Sequence, residues 1–182
     1  MLKCLSTLLV VFYASIAVAV PISLLTYQDQ LIQDKKIKIG LPKGWEAVKN
    51  LYGLPLVALG PWENKSRPAI SWMYTGMTTK IMKDAEFQKL FVDFKKDKEE
   101  WLKGHAGTLK KFEGPTASDF KNKLRGHYIG AEFVVNDIHF IERSYYLYCN
   151  DEVYNVKWSI REEHSKYIKD IEQIVGSLQC VR

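Results

Sequence analysis

Chemistry in this chain would have to come from four histidines, three cysteines and a scatter of carboxylates. His105, His127, His139 and His164 lack the paired spacing that binds zinc, and no two cysteines lie close in sequence. There is no Gly-rich phosphate loop, no Gly-x-Ser-x-Gly elbow and no acidic run suited to calcium, so no cofactor or metal is expected. An acid–base site would need folding to gather His127, Glu132, His139 and Glu142 from neighbouring strands. Side-chain alternation works against it: Glu132 falls on the opposite face from His127 within one strand, and His127 joins His139 only if the register permits. No catalytic residue is assigned.

The cysteines say more. Met1 to Lys3 is positively charged, Leu5 to Val18 is almost wholly apolar, and Ala17-Val18-Ala19 supplies the small residues of a signal-peptidase site. Residues 1–19 are therefore expected to be a signal peptide cleaved after Ala19, leaving 20–182 as one α+β domain. An uncleaved anchor is the alternative, because apolar character resumes at Ile22, Leu24 and Leu25. Pro21 interrupts that run, and the apolar core falls short of the ~20 residues needed to span a bilayer. A lipid anchor would place its cysteine at the end of the run, whereas Cys4 precedes it.

Cleavage leaves Cys149 and Cys180, an even count in an oxidising compartment, and a disulfide is the expectation. Closing that loop stabilises by about 3 to 4 kcal/mol on the chain-entropy account. Two buried free thiols and a nucleophilic cysteine are the other readings, although neither residue sits in a catalytic signature. Lys plus Arg exceed Asp plus Glu by 26 to 21. That mild basic excess favours contact with anionic surfaces such as membranes or polyanions; the partner expected is an unknown protein or an anionic envelope surface, and nucleic acid is not expected for an exported chain.

The elements that position these residues centre on Leu124 to Ile160. Three apolar, aromatic-rich runs are separated by Asn136-Asp137 and Asn150-Asp151, pairs that tolerate the left-handed backbone of a tight hairpin. Tyr154, Val156, Trp158 and Ile160 alternate with Asn155, Lys157 and Ser159, the period of a half-buried strand. A turn at Asn150-Asp151 sets Leu147 opposite Tyr154, Tyr145 opposite Val156 and Ile141 opposite Ile160, with Cys149 on the same apolar face. Arg143 then falls beside Trp158, where it can stack on the ring or reach an edge carboxylate. Something must cover that face. Tyr167, Ile168, Ile171, Ile174, Val175 and Leu178 trace an amphipathic helix over about 164–178 that could do so, with Cys180 just beyond it.

Upstream, Lys36 to Ile39 alternates and stops at Leu41-Pro42-Lys43-Gly44-Trp45; Leu54 to Leu59 and Ala69 to Tyr74 form two further apolar runs. Between these lies a proline-bounded loop, Gly60 to Pro68. An exposed Trp62 beside Lys65 and Arg67 would make a partner surface, but the ring is expected to fold back over the rim of the core. Asn64-Lys65-Ser66 matches the glycosylation acceptor pattern, which matters only in a eukaryotic secretory pathway. A second helix is predicted over about 84–103, with Phe87, Leu90, Phe91, Phe94, Trp101 and Leu102 on one face, Asp84 as its cap and Gly104 at its end. That stripe is expected to be core. From His105 to Lys123 the pattern fades into a solvated connection; its lysines, Lys110, Lys111, Lys121 and Lys123, could alternatively receive an anionic partner.

The Leu41-Pro42-Lys43-Gly44-Trp45 motif, the Pro55 to Pro68 hairpin and the element order through Leu178 together resemble the superfamily of the photosystem PsbP extrinsic proteins, the Ran-binding Mog protein and the periplasmic DcrB-like proteins. The resemblance covers most of the chain beyond the leader. It implies an α-β-α sandwich around an antiparallel sheet, acting mainly as a non-enzymatic binding or assembly factor, and it carries over no functional residue. The expectation is thus an exported, disulfide-stabilised binding protein, secreted or periplasmic and not transmembrane once the leader is lost. A hydrolase-like enzyme assembled from distant strands and a carrier of a small apolar ligand between helix and sheet are the alternatives.

Overall fold

The computed structural model describes residues 25–32, 35–78, 84–119, 125–149 and 152–181. The expected leader, the Asn150-Asp151 turn, Lys121, Lys123, and the side chains of Asp84 and Leu90 lie outside the description.

The strands are β1 (Thr26–Ile32), β2 (Lys35–Leu41), β3 (Glu46–Leu51), β4 (Leu54–Leu59), β5 (Ala69–Thr78), β6 (Gly107–Asp119), β7 (Arg125–Val135), β8 (Ile138–Cys149), β9 (Glu152–Arg161) and β10 (Gln179–Cys180). The helices are α1 (Asp84–Gly104) and α2 (Ile168–Gly176), the latter entered through a 3-10 segment, Glu162–Tyr167. Seven strands form one antiparallel sheet in the order β3-β4-β5-β9-β8-β7-β6, and β1-β2-β10 form a small second sheet. This is the α+β architecture expected, an antiparallel sheet flanked by helices.

The centre of the large sheet follows from alternation. In the β8–β9 pair Leu147 faces Tyr154, Tyr145 faces Val156, Arg143 faces Trp158 and Ile141 faces Ile160, the register read from the sequence. Asn136 and Asp137 both take positive φ, 51° and 61°, and turn β7 into β8. Tyr145, Leu147, Val156 and Trp158 then bury one face against Ile171, Ile174, Val175 and Leu178 around α2 and against Ile37 and Ile39 of the small sheet. Cys149 and Cys180 are bonded, with Cα atoms 5.5 Å apart, fastening β10 to the end of β8. Arg143 does both things expected of it. Its guanidinium carbon lies 5.8 Å from the Trp158 ring centroid, and Nη1 is 2.6 Å from Glu172 of α2.

The opposite face belongs to α1. Phe87 and Phe91 pack with Ile129, and Leu102 packs with Ala131 and Phe133. The aromatic stripe is core as expected, with one departure: Trp101 remains 46% exposed.

Two expectations need correction. Residues 107–119, read as a solvated connection, form the edge strand β6. Register breaks between Leu109/Lys111 and Glu113/Thr116 disrupt its alternation, and lysines with Pro115 protect its free edge, so it carries no periodic signature. Lys111 on that strand is neutralised by Glu113 and Glu132. The last helix also begins later than 164, because its first residues wind as a 3-10 turn. That tighter winding aligns residues three apart, so His164 and Tyr167 project together, ring centroids 6.1 Å apart.

Candidate docking loop and its supports

The segment 60–68 between β4 and β5 is held by residues from three parts of the chain. Its mouth is closed by Gly60 N–H donating to the Pro68 carbonyl at 2.9 Å. A Cβ on Gly60 would stand 2.5 Å from Pro68 Cγ and 3.0 Å from Trp45 Cζ2, so the close approach requires glycine. Its tip is a two-residue turn: Glu63 and Ser66 exchange backbone hydrogen bonds of 2.8 and 2.9 Å, while Asn64 and Lys65 take positive φ, 48° and 63°.

Beneath the mouth lies the Leu-Pro-x-Gly-Trp turn. Gly44, at φ 87°, allows the reversal, and Trp45 N–H bonds back to the Pro42 carbonyl at 3.1 Å. The Trp45 ring is buried and meets Tyr167 edge-on at 6.5 Å. It occupies the rim position that Trp62 was expected to take. Trp62 is instead 69% exposed, which overturns the expectation that it folds back over the core.

From the side, the 3-10 segment braces the turn. Lys166 Nζ lies 2.7 Å from one Glu63 oxygen and Tyr167 OH 3.3 Å from the other. The Lys166 hydrogen bond holds the Glu63 carboxyl below the usual carboxylate range, against a smaller opposing push from desolvation. Ser66 Oγ and His164 Nε2 are 2.7 Å apart, with the imidazole 2% exposed. Arg67 donates Nε–H to the Gly60 carbonyl at 2.6 Å, pairs with Glu46 at 2.8 Å, and sets its guanidinium carbon 5.4 Å from the Trp62 ring centroid.

Of the three residues expected at a partner surface, Trp62 and Lys65 are therefore exposed, and Arg67 is a strut under the tryptophan. Glu63, Ser66, His164, Lys166 and Tyr167 were not anticipated. Separations of 98 to 104 residues hide these contacts from any local pattern.

Ser66, His164 and Glu63 have the order of nucleophile, base and orienting acid, but the last link is open. His164 Nδ1 is 3.9 Å from the Glu63 carboxylate, which is already engaged by Lys166 and Tyr167. The arrangement suits a strut that locks the hairpin. Of the histidines and carboxylates weighed in the sequence, only His139 and Glu132 approach, with Nε2 4.0 Å from the carboxylate and beyond hydrogen-bond reach, while His127 and Glu142 hold other partners. His127 Nδ1 is 2.7 Å from Tyr148 OH and its ring packs on Phe87, while His139 Nδ1 is 2.9 Å from Glu162. Along β8 their paired positions, Tyr146 and residue 139, are about 23 Å apart at strand rise and on opposite faces. Glu142 binds two lysines. Among the described residues no cluster of three or more His, Cys, Asp or Glu could hold a metal, and no helix is long and apolar enough to cross a membrane.

No protein-family model matches this sequence, and no curated protein matches it. Solved structures share the fold, and two of them show its extent. Cyanobacterial PsbP (CyanoP) from Synechocystis sp. PCC 6803 superposes with a TM-score of 0.54 at 16% identity, covering 90% of this chain and 96% of its own. LpqN of Mycobacterium tuberculosis, a protein involved in cell envelope biogenesis, gives 0.54 at 12% identity, covering 85% and 90%. At these identities the likeness concerns the backbone architecture.

Proposed function

We propose that this chain is an exported, non-enzymatic binding protein of the cell envelope, secreted or periplasmic after cleavage at Ala19, that docks a protein partner through Trp62. One observation carries the reading: a large ring, 69% exposed, stands on a hairpin whose tip, mouth and stem are each tied down. A fixed aromatic side chain loses little entropy on binding, and such residues supply much of the energy of protein interfaces. Lys65 at the tip and the chain's net charge of +5 favour a partner whose apolar pocket has an acidic rim. The disulfide supports an oxidising compartment, and the role of LpqN in envelope biogenesis supports the envelope.

The test is cross-linking in the native envelope fraction with a photoreactive group at position 65, comparing the wild-type chain with Trp62→Ala. One specific protein adduct that falls at least about tenfold with Trp62→Ala is expected, the scale of an interfacial hot spot. An adduct indifferent to Trp62, or Trp62-dependent binding to anionic vesicles without a protein adduct, would overturn the protein-docking reading. Covalent labelling of Ser66 by a fluorophosphonate would replace it with the hydrolase reading, since only an activated serine reacts. Intact mass of the exported chain should show loss of the first nineteen residues.

A further inference from the structure

Trp101, 46% exposed, borders an open cleft of about 520 Å³ between α1 and strands β7 to β9. Phe133 and Phe140 complete its apolar wall. The indole is held in place by His105, whose ring stacks on it with centroids 4.4 Å apart and whose Nδ1 lies 2.7 Å from the Trp101 carbonyl. The volume falls within the roughly 300–1,000 Å³ range of small-molecule sites, and aromatic walls over a few fixed polar groups are their usual composition.

The charged lining is two acids and two bases, Asp97 and Glu142 against Lys98 and Lys157, so the cleft as a whole is neutral. Its charges are nevertheless separated. Glu142, 6% exposed, lies 3.0 Å from Lys98 Nζ and 3.3 Å from Lys157 Nζ, so on the floor two ammonium groups share one carboxylate. Asp97 stands exposed on α1 and has no ion-pair or hydrogen-bond partner among the described residues. Lys98 is committed to the floor: its side chain is 10% exposed, and Nζ lies 3.9 Å from the Phe133 centroid and 4.9 Å from that of Trp101. Lys157, 42% exposed, has ammonium donors beyond the one that Glu142 accepts. One open carboxylate and one open ammonium thus flank the aromatic wall without pairing with each other.

A ligand with a single charge would meet its counter-charge at one end and a like charge at the other, and an uncharged ligand would use neither. A molecule carrying both charges, one at each end, satisfies both. Because Asp97 and Lys157 do not pair directly, its two ends must be held apart by a connecting body. We propose that this cleft binds an aromatic zwitterion of the class of a short peptide with free termini, its ammonium on Asp97, its carboxylate on Lys157 and its side chains against Trp101, Phe133 and Phe140. The site is separate from the Trp62 loop and does not depend on the docking reading.

The probe is the dipeptide phenylalanyl-phenylalanine, titrated by calorimetry into the oxidised chain beside its N-acetyl form, an anion, and its C-terminal amide, a cation. The dipeptide should saturate at one site. Losing either end charge should weaken it by about fivefold, the scale of one exposed ion pair. Asp97→Asn should erase the difference between the dipeptide and its N-acetyl form, and Lys157→Gln the difference between the dipeptide and its amide, because each variant removes the group that reads that end. Phe140→Ala should weaken all three ligands alike, while Trp62→Ala should change none. Near-UV circular dichroism of each variant separates loss of the site from loss of packing. Capped forms that bind as well as the dipeptide, charge preferences that persist in the folded variants, or binding that never saturates would each overturn the proposal.

Discussion

The two faces of the large sheet are built on different principles. On the α2 side a single continuous cluster runs from Ile32 through Trp72, Tyr145, Val156 and Trp158 to Leu178, sealed by the Cys149–Cys180 bond. A buried hydroxyl there completes a helix end: Ser177 Oγ lies 2.7 Å from both Gly40 N and the Ile174 carbonyl. On the α1 side the apolar contacts divide into two small clusters, around Phe87 and around Leu102. Beside them β8 and β9 present Glu142 with its two lysines, and Asn155 donating to Ser144 Oγ at 2.9 Å. The dry face can fix the fold because nearly every side chain on it gains from burial. The polar face gives up that gain along β8 and β9 and keeps an open space in return.

The largest expected effect tests this asymmetry directly. Trp158 is 1% exposed at the centre of the continuous cluster, so Trp158→Ala should cost about 4 to 5 kcal/mol, the upper part of the range for such truncations. Phe91, 4% exposed in the smaller cluster, should cost about 3 kcal/mol on truncation to alanine, because its surroundings can collapse more easily. Urea unfolding midpoints at unchanged slope measure both. Equal losses would mean the faces share the load, and the contrast would fail.

The disulfide comes next. Cys149 and Cys180 are separated by 31 positions, and replacing both by serine should lower stability by about 3 to 4 kcal/mol through the freedom returned to the unfolded chain. Hydrogen exchange should locate the loosening. Amides of β10 and α2 should lose protection ahead of those in α1, because β10 is held by only a short pairing with β2. Uniform loss across both faces would show that the bond supports the whole sheet and not one side of it.

What the sequence made legible follows the same division. The β8–β9 register could be read because a tight turn and a period of two leave one alignment that puts Tyr154, Val156, Trp158 and Cys149 on a common side. The helix cover and the disulfide followed, since that side needed closing. Strands β1 and β3 went unread: Thr26–Ile32 mixes Gln and Asp with its apolar residues, and Glu46–Leu51 is largely exposed or half-buried. Strand β6 was hidden by its irregular register. At the docking loop Trp62 and Lys65 were identifiable by residue type, but exposure of the ring depended on Trp45 filling the rim and on His164 reaching Ser66. The cleft of about 520 Å³ between α1 and strands β7 to β9, with Lys98, Glu142 and Lys157 on its floor and Asp97 also lining it, was hidden for a related reason. Phe94 and Trp101 fit the same helical stripe as Phe87, and only the placement of Lys98 over Glu142 shows where the stripe leaves the sheet.

The smallest expected effect is an alkaline one, and its sign separates the buried lysine of the polar face from the buried tyrosines. Burial lowers the Lys98 pKa, more strongly than the attraction of Glu142 raises it. An unfolded lysine keeps its proton to about pH 10.4, so between the lowered folded value and that pH the unfolded chain holds more protons, and stability must rise with pH. Below that window the cost of the buried charge is constant, and above it the cost is gone. The buried tyrosines of both faces act in the opposite direction, Tyr146 beside α1 among them. Burial raises the pKa of Tyr145 and of Tyr154, so their contribution is complete below the ordinary value of about 10 and is lost as pH climbs beyond it. Urea midpoints measured from neutral pH into this alkaline range should therefore show a shallow rise before the fall. Lys98→Met should abolish the rise and leave the fall, and Tyr154→Phe should soften the fall and leave the rise. A rise that persists in Lys98→Met cannot come from this ammonium, and the cleft floor would then hold its charge at no cost in stability.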